Sequence, residues 1–147
     1  MAKRTSTRGR PRTVKVYVFD ASALFVFLQK KPDASKVNQL LKEGLRGHAD
    51  ILMSTVNYGE VYGGVLRKHE HDRAVETMSA MHALPIRLVD ATTQRAFHAA
   101  EVKHKYKLYY ADSFAAALAI EHKARLVTSD SDFRKLGHGF PVMWLKA

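Results

Sequence analysis

The sequence contains no cysteine. Disulfide bonds and cysteine-ligated zinc or iron–sulfur sites are therefore excluded. No apolar run approaches the ~20 residues that span a membrane, and the amino-terminal segment lacks the apolar core of a secretory signal. With a hydrophobic fraction of 46%, these absences predict a globular, cytoplasmic protein that makes no membrane contact.

Acidic residues are also missing from the first fifteen positions. Lysine and arginine exceed aspartate and glutamate by ten overall, and six of the positive charges lie within residues 1–15. A segment of this composition cannot bury enough apolar surface to fold alone. We therefore predict a disordered basic arm over residues 1–13. The rest, 14–147, is long enough to form one domain with its own core.

Short apolar, β-branched segments alternate with segments of helical periodicity. The predicted strands are 14–19, 51–53, 86–89, 125–128 and 142–143. The predicted helices are 21–29, 32–46, 56–68, 70–83, 92–107, 111–123 and 131–136. Strands that alternate with helices predict an α/β fold, in which a parallel sheet is covered on both faces.

Four carboxylates stand where an acidic residue needs a specific reason. Asp20 and Asp130 follow predicted strands, and Asp112 opens an alanine-rich helix. Glu60 lies on a glycine-containing helix, away from its apolar stripe. Ligands of open α/β sheets bind beyond the carboxyl ends of the strands, so one cleft is predicted to hold all four acids. Such an oxygen-only pocket suits a hard divalent cation.

Each acid taken alone has another explanation. The three aspartates precede helices, where aspartate is a preferred N-cap, and Glu60 fits a solvated helix residue. The joint pattern favours a metal site, because several acids at the same edge of one sheet are unusual for caps.

Four stretches resemble the PIN-domain family and, more narrowly, its VapC-type ribonuclease toxins. In the order of the family's motifs, they are Phe19–Leu24, Gly59–Gly64, Ala111–Ala117 and Thr128–Phe133. The resemblance covers about residues 14–145. It implies a three-layer α/β/α sandwich with a central, mainly parallel sheet. It also implies an endoribonuclease that uses Mg²⁺ or Mn²⁺, forms a homodimer, and is inhibited by a small antitoxin protein lying across the acidic cleft.

The resemblance also implies individual residue roles. Asp20, Glu60, Asp112 and Asp130 would form the catalytic site, in which Asp20 and Asp112 bind the metal directly. Ser22 and Thr128 would orient water or carboxylates around it, and Asp132 would be a fifth acid. In this chemistry a metal-activated water attacks the phosphodiester and a carboxylate accepts its proton. Since that attack needs no 2′-hydroxyl, the preference for RNA comes from the resemblance alone.

Basic and aromatic residues close to Asp112 predict contacts with RNA phosphates and bases. They are Lys103, Lys105, Lys107, Tyr109 and Tyr110. A solvated helix end with packed tyrosines fits the same residues equally well.

Two other functions fit parts of the pattern. One is a non-catalytic PIN-like module that binds nucleic acid through its basic arm. The other, a phosphatase of the haloacid-dehalogenase type, is disfavoured because Ser22 stands where that class needs a second aspartate.

Overall fold

Strands and helices alternate along the chain as predicted, in a computed structural model that describes residues 13–147. The predicted basic arm, apart from its last residue, lies outside the described residues. The strands are β1 (Lys15–Phe19), β2 (Ala49–Ser54), β3 (Arg87–Val89), β4 (Arg125–Thr128) and β5 (Val142–Trp144). The helices are α1 (Ala21–Leu28), α2 (Ala34–Leu45), α3 (Thr55–Lys68), α4 (His71–His82), α5 (Thr93–Tyr106) and α6 (Tyr110–His122), with a 3₁₀ helix at Ser131–Leu136.

The five strands form one sheet in the order β3-β2-β1-β4-β5, and every pairing is parallel. The sheet expected to be mainly parallel is therefore wholly parallel within the described residues. The chain leaves β1 toward β2 on one side and later returns to pair β4 on the other. This change of direction creates a topological switch point at the carboxyl ends of β1 and β4, the place where open α/β sheets bind ligands.

Alternate residues of the central strands face two separate cores. Phe19 and Met53 pack with helices α1 to α4 on one face of the sheet. Val18, Leu52 and Leu126 pack with α5 and α6 on the other. All five side chains are fully buried, so the sheet has two covered faces and the three-layer α/β/α sandwich is confirmed. Within residues 13–147, no helix is long and apolar enough to cross a membrane.

Two predicted helices begin or wind differently in the structure. Helix α6 starts at Tyr110 with Tyr109 as its N-cap, so Asp112 lies inside the first turn instead of opening the helix. The segment Ser131–Leu136, predicted as a short helix, is a 3₁₀ helix that Asp130 caps. Both differences matter for the acidic residues, because they determine which carboxylates remain free of capping hydrogen bonds.

Candidate metal centre

Asp20 directly follows β1 at the switch point and is the N-cap of helix α1. Its side chain is buried, and both carboxylate oxygens accept hydrogen bonds. Ser22 Oγ and the Ala23 N–H donate to Oδ1 at 2.7 and 3.0 Å, and Thr128 Oγ1 donates to Oδ2 at 2.5 Å. Burial outweighs these bonds and raises the pKa of Asp20 to about 6. Asp20 is thus a desolvated carboxylate whose orientation is fixed.

The two hydroxyls that hold Asp20 also join the ends of β1 and β4. Their oxygens lie 3.1 Å apart. Ser22 Oγ accepts a hydrogen bond from the Ser129 N–H at 2.8 Å, and Thr128 Oγ1 accepts one from the Asp130 N–H at 2.9 Å. The same pair therefore fixes the backbone that leads from β4 to Asp130.

Three carboxylates converge beside Asp20. One oxygen from each of Asp112, Asp130 and Asp132 lies within 4.8 Å of the other two, and all three residues are half-buried. The Asp132 N–H donates to Asp130 Oδ1 at 2.9 Å, which holds these two acids together at the start of the 3₁₀ helix. Asp132, expected as a fifth acid, lies in the group, whereas direct metal binding by Asp20 stays a prediction.

Asp112 has the most perturbed carboxyl group of the site. Burial, followed by the negative charges of Asp130, Asp20, Glu60 and Asp132, raises its pKa to about 7. Its carboxylate oxygens accept no hydrogen bond from any residue that the structure describes. Capping explains part of the role of Asp20 and Asp130, but it does not explain Asp112.

Within residues 13–147, the acids of this site have no positively charged partner. Although the chain carries a net charge of +10, every ion pair between residues 13 and 147 involves other acidic side chains. Crowded like charges destabilise their own ionised forms, and a cation bound among them relieves that repulsion. A set of carboxylate oxygens without sulfur or imidazole fits Mg²⁺ or Mn²⁺.

Glu60 is exposed on α3 and joins the group through Asn57, a residue that is absent from the predicted site. Asn57 is fully buried. Its Nδ2 donates to Glu60 Oε1 and to the Ala111 carbonyl, both at 3.0 Å. Its Oδ1 is buried without a hydrogen-bond partner among the described residues. Asn57 thus connects α3 with the start of α6, and its place one turn before Glu60 is the only sequence signal for this role.

The model of the PIN domain family matches residues 17–139, which is most of the chain. The protein belongs to the PIN-domain family. The match includes all five acids of the site together with Ser22, Asn57 and Thr128. A comparison with curated proteins finds no sequence match.

Solved structures share the fold of this PIN domain at low sequence identity. VapBC2 from Rickettsia felis, bound to a promoter DNA fragment, has a TM-score of 0.69 at 17% identity, covering 87% of this chain and 97% of the other. VapBC-1 from nontypeable Haemophilus influenzae has a TM-score of 0.66 at 17% identity, with 88% and 97% covered. The Mycobacterium tuberculosis toxin VapC20, described as cleaving the sarcin–ricin loop, has a TM-score of 0.66 at 18% identity. The match covers 90% of this chain and 100% of the other.

The lysines and tyrosines predicted to bind RNA lie where α5 ends and α6 begins in the PIN domain. All five are exposed, namely Lys103, Lys105, Lys107, Tyr109 and Tyr110. Tyr110 packs edge-on against Phe114, with ring centroids 5.0 Å apart. Lys105 Nζ lies 5.1 Å from the centroid of the Tyr106 ring. Tyr109 and Tyr110 therefore lie at the start of the helix that carries Asp112, and the ring of Tyr110 is already packed against another side chain.

Proposed function

We propose that this PIN domain is a metal-dependent endoribonuclease that hydrolyses RNA phosphodiester bonds. One observation carries the proposal: carboxylates of Asp112, Asp130 and Asp132 converge, the charges of Asp20 and Glu60 also act on Asp112, and no ion pair within residues 13–147 neutralises any of the five. A protein that needed these aspartates only as helix caps would gain nothing from the burial and the repulsion that together raise the pKa of Asp112.

We assign the ion-binding role to Asp112, Asp130 and Asp132, whose oxygens converge, and keep Asp20 as a further ligand. When bound there, a divalent cation lowers the pKa of a coordinated water and offsets negative charge on the phosphate. Ser22 and Thr128 hold the Asp20 carboxylate in one orientation. Glu60 is exposed and is oriented by Asn57, so we assign it to accept the proton of the attacking water.

We further propose that the protein is the toxin of a toxin–antitoxin pair, a homodimer acting on RNA in the cytoplasm. The support is the likeness of its fold to VapC-type proteins solved in VapBC complexes and to a toxin described as cleaving the sarcin–ricin loop. A small protein encoded beside this one would be the antitoxin. Copurification, a dimer in sedimentation, and stoichiometric inhibition of cleavage would each support the assignment.

The decisive experiment incubates the purified protein with a mixture of structured RNAs and the corresponding DNAs. We expect RNA cleavage with Mg²⁺ or Mn²⁺, no cleavage in chelator, and no cleavage by Asp112→Asn. The control is Asp72→Asn, which removes an exposed first-turn acid of α4 and should cleave normally. RNA binding without cleavage by the wild type, at any metal concentration, would favour the non-catalytic module that acts through its basic arm.

A further inference from the structure

An exposed aromatic ring at the N-cap of α6, the helix that carries Asp112, has a lysine over its face. The ring is that of Tyr109, which is 71% exposed. Lys135 Nζ lies 6.0 Å from the ring centroid and donates a hydrogen bond to the Lys107 carbonyl at 3.1 Å. The lysine is therefore held near the ring by a second contact, while most of the ring remains open to solvent.

The ring has no evident role in stabilising the fold. Tyr109 is the N-cap of α6, yet its side chain makes no capping hydrogen bond, whereas Ser54 and Thr92 at equivalent positions do. Small polar residues are preferred at N-caps because their oxygens accept these bonds. The neighbouring Tyr110 differs, because its ring packs against Phe114. Of the two tyrosines, Tyr109 is the one available to a ligand.

Helix geometry connects this ring and lysine with the acidic site. Asp112 follows Tyr109 by three residues, about 4.5 Å along the axis of α6 at the usual helical rise. Asp132 and Lys135 are also three residues apart, and side chains with this spacing lie on the same side of a 3₁₀ helix. The two elements that supply the converging carboxylates therefore also supply the ring and its lysine.

We propose that Tyr109 and Lys135 form a subsite for one unpaired nucleotide next to the bond that is cut. The base stacks on the Tyr109 ring, and the Lys135 ammonium, which still has free donors, contacts a phosphate. Aromatic rings bind bases of single strands in this way and tolerate different sequences. Paired bases are not available for such stacking, so the substrate class is a single-stranded segment or loop. This inference rests on the proposed nuclease function and specifies its substrate.

The test measures binding without cleavage, so that it does not depend on catalysis. The full-length protein is titrated in chelator against a fluorescent single-stranded RNA of mixed sequence and against the same strand in a duplex. Tyr109→Leu should weaken single-strand binding by about 5- to 150-fold, from the usual stacking energy per base, and leave duplex binding unchanged. Tyr109→Trp should bind like the wild type, because it keeps an aromatic face.

Two matched controls separate the subsite from general effects. Phe97→Leu removes an equally exposed ring at the other end of α5 and should leave single-strand binding unchanged. For single-stranded RNA, the logarithm of the binding constant falls linearly with the logarithm of the salt concentration, and Lys135→Gln should reduce the slope of this line by roughly 0.7. Arg134→Gln removes the same charge from the adjacent residue, on another side of the 3₁₀ helix, and should reduce the slope less. Melting curves verify that every variant is folded.

Equal single-strand binding by wild type and Tyr109→Leu would overturn the inference. The inference would also be overturned if Tyr109→Leu weakened duplex binding as much as single-strand binding, or if Phe97→Leu weakened single-strand binding as much as Tyr109→Leu does. A wild type that binds no single strand would overturn it as well. If Tyr109→Leu loses single-strand binding selectively but the wild type cuts no RNA with any metal, the subsite stands and the nuclease proposal fails. If the wild type cuts, Tyr109→Leu should raise KM for single strands with little change in kcat.

Discussion

Replacing Asp112 by asparagine should stabilise the metal-free protein while abolishing its activity. The carboxyl group is half-buried, and its pKa is raised from 3.8 to about 7 by burial and by the neighbouring acids. In the unfolded chain it ionises near its ordinary value. Between these two pKa values the native state holds a proton that the unfolded state has lost, so the stability of the wild type falls as the pH rises from about 4 to about 7.

The size of the effect follows from the shift. One pKa unit corresponds to about 1.4 kcal/mol, so a fully buried group with this shift would destabilise the native state by about 4 kcal/mol above pH 7. Solvent screening of a half-exposed carboxylate reduces this to roughly 2 kcal/mol. Asparagine has a similar shape without the charge, and a domain of this size melts about 2–4 °C higher per kcal/mol. We expect Asp112→Asn to melt about 4–8 °C above wild type at pH 8.

The assay is a series of melting curves in chelator from pH 4.5 to 8.5. The difference between the variant and the wild type should be about a quarter of its full size at pH 4.5 and reach its full size above pH 7. The pKa of Asp20 is also raised, and this contributes a similar slope to both proteins. Asp72→Asn, the control in the first turn of α4, should show no gain at any pH.

Metal should reverse the order of thermal stability, so that the wild type melts above Asp112→Asn. A ligand that binds only the native state stabilises it by about 2.7 kcal/mol at a hundredfold excess over Kd, and Mg²⁺ or Mn²⁺ should stabilise the wild type far more than Asp112→Asn. Asp112 is not a metal-binding carboxylate if the variant is less stable than the wild type in chelator at pH 8, if the difference is constant with pH, or if metal shifts both melting midpoints equally.

Three further predictions concern other parts of the site and the arm. Asp20→Asn and Asp130→Asn should each abolish RNA cleavage without loss of helical circular dichroism, and near wild-type rates in both at saturating Mg²⁺ would contradict the assigned site. Asn57→Ala should lower the free energy of unfolding by about 1–3 kcal/mol, since the Ala111 carbonyl loses its buried partner. It should also lower kcat, because Glu60 loses the hydrogen bond that orients it. A loss of stability at unchanged kcat would show that Asn57 is only structural. Deleting residues 1–12 should leave cleavage of bound RNA intact and reduce the salt slope of binding by roughly 0.7 per lost phosphate contact, whereas an unchanged slope would mean that the arm does not touch RNA.

The fold was predictable because local patterns and global architecture agree in this chain. Strands such as β4 (Arg125–Thr128) have the same bounds in prediction and structure, since a short apolar and β-branched run between polar turns favours a strand over a helix. The α/β order then implies parallel pairing, because crossover helices connect strands that run in one direction. The amino end of α6 was less predictable, since Tyr109 is not a preferred cap and nothing in its own sequence marks the boundary.

The positions of the acids in the sequence indicated a candidate site, but they did not indicate how the acids are arranged. Asp20 and Asp130 follow from their positions after strands, yet the convergence of Asp112 with Asp130 and Asp132 depends on how α6 packs across the sheet. Asn57 could not be predicted, because its two hydrogen bonds connect α3 with a carbonyl 54 residues away. Such roles depend on side-chain positions that periodicity does not determine.

The hydroxyl of Thr128 meets the carboxylate of Asp20 across 108 residues of sequence, and this has a consequence for biosynthesis. The ribosome releases β1 early, but the central strand receives its second neighbour only when β4 has been made. Asp130 and Asp132 emerge later still, so a nascent or prematurely terminated chain has no converging carboxylates. The nuclease activity that we propose would begin only after the residues up to Asp132 have left the ribosome, which would protect the translating cell from shorter, incomplete products.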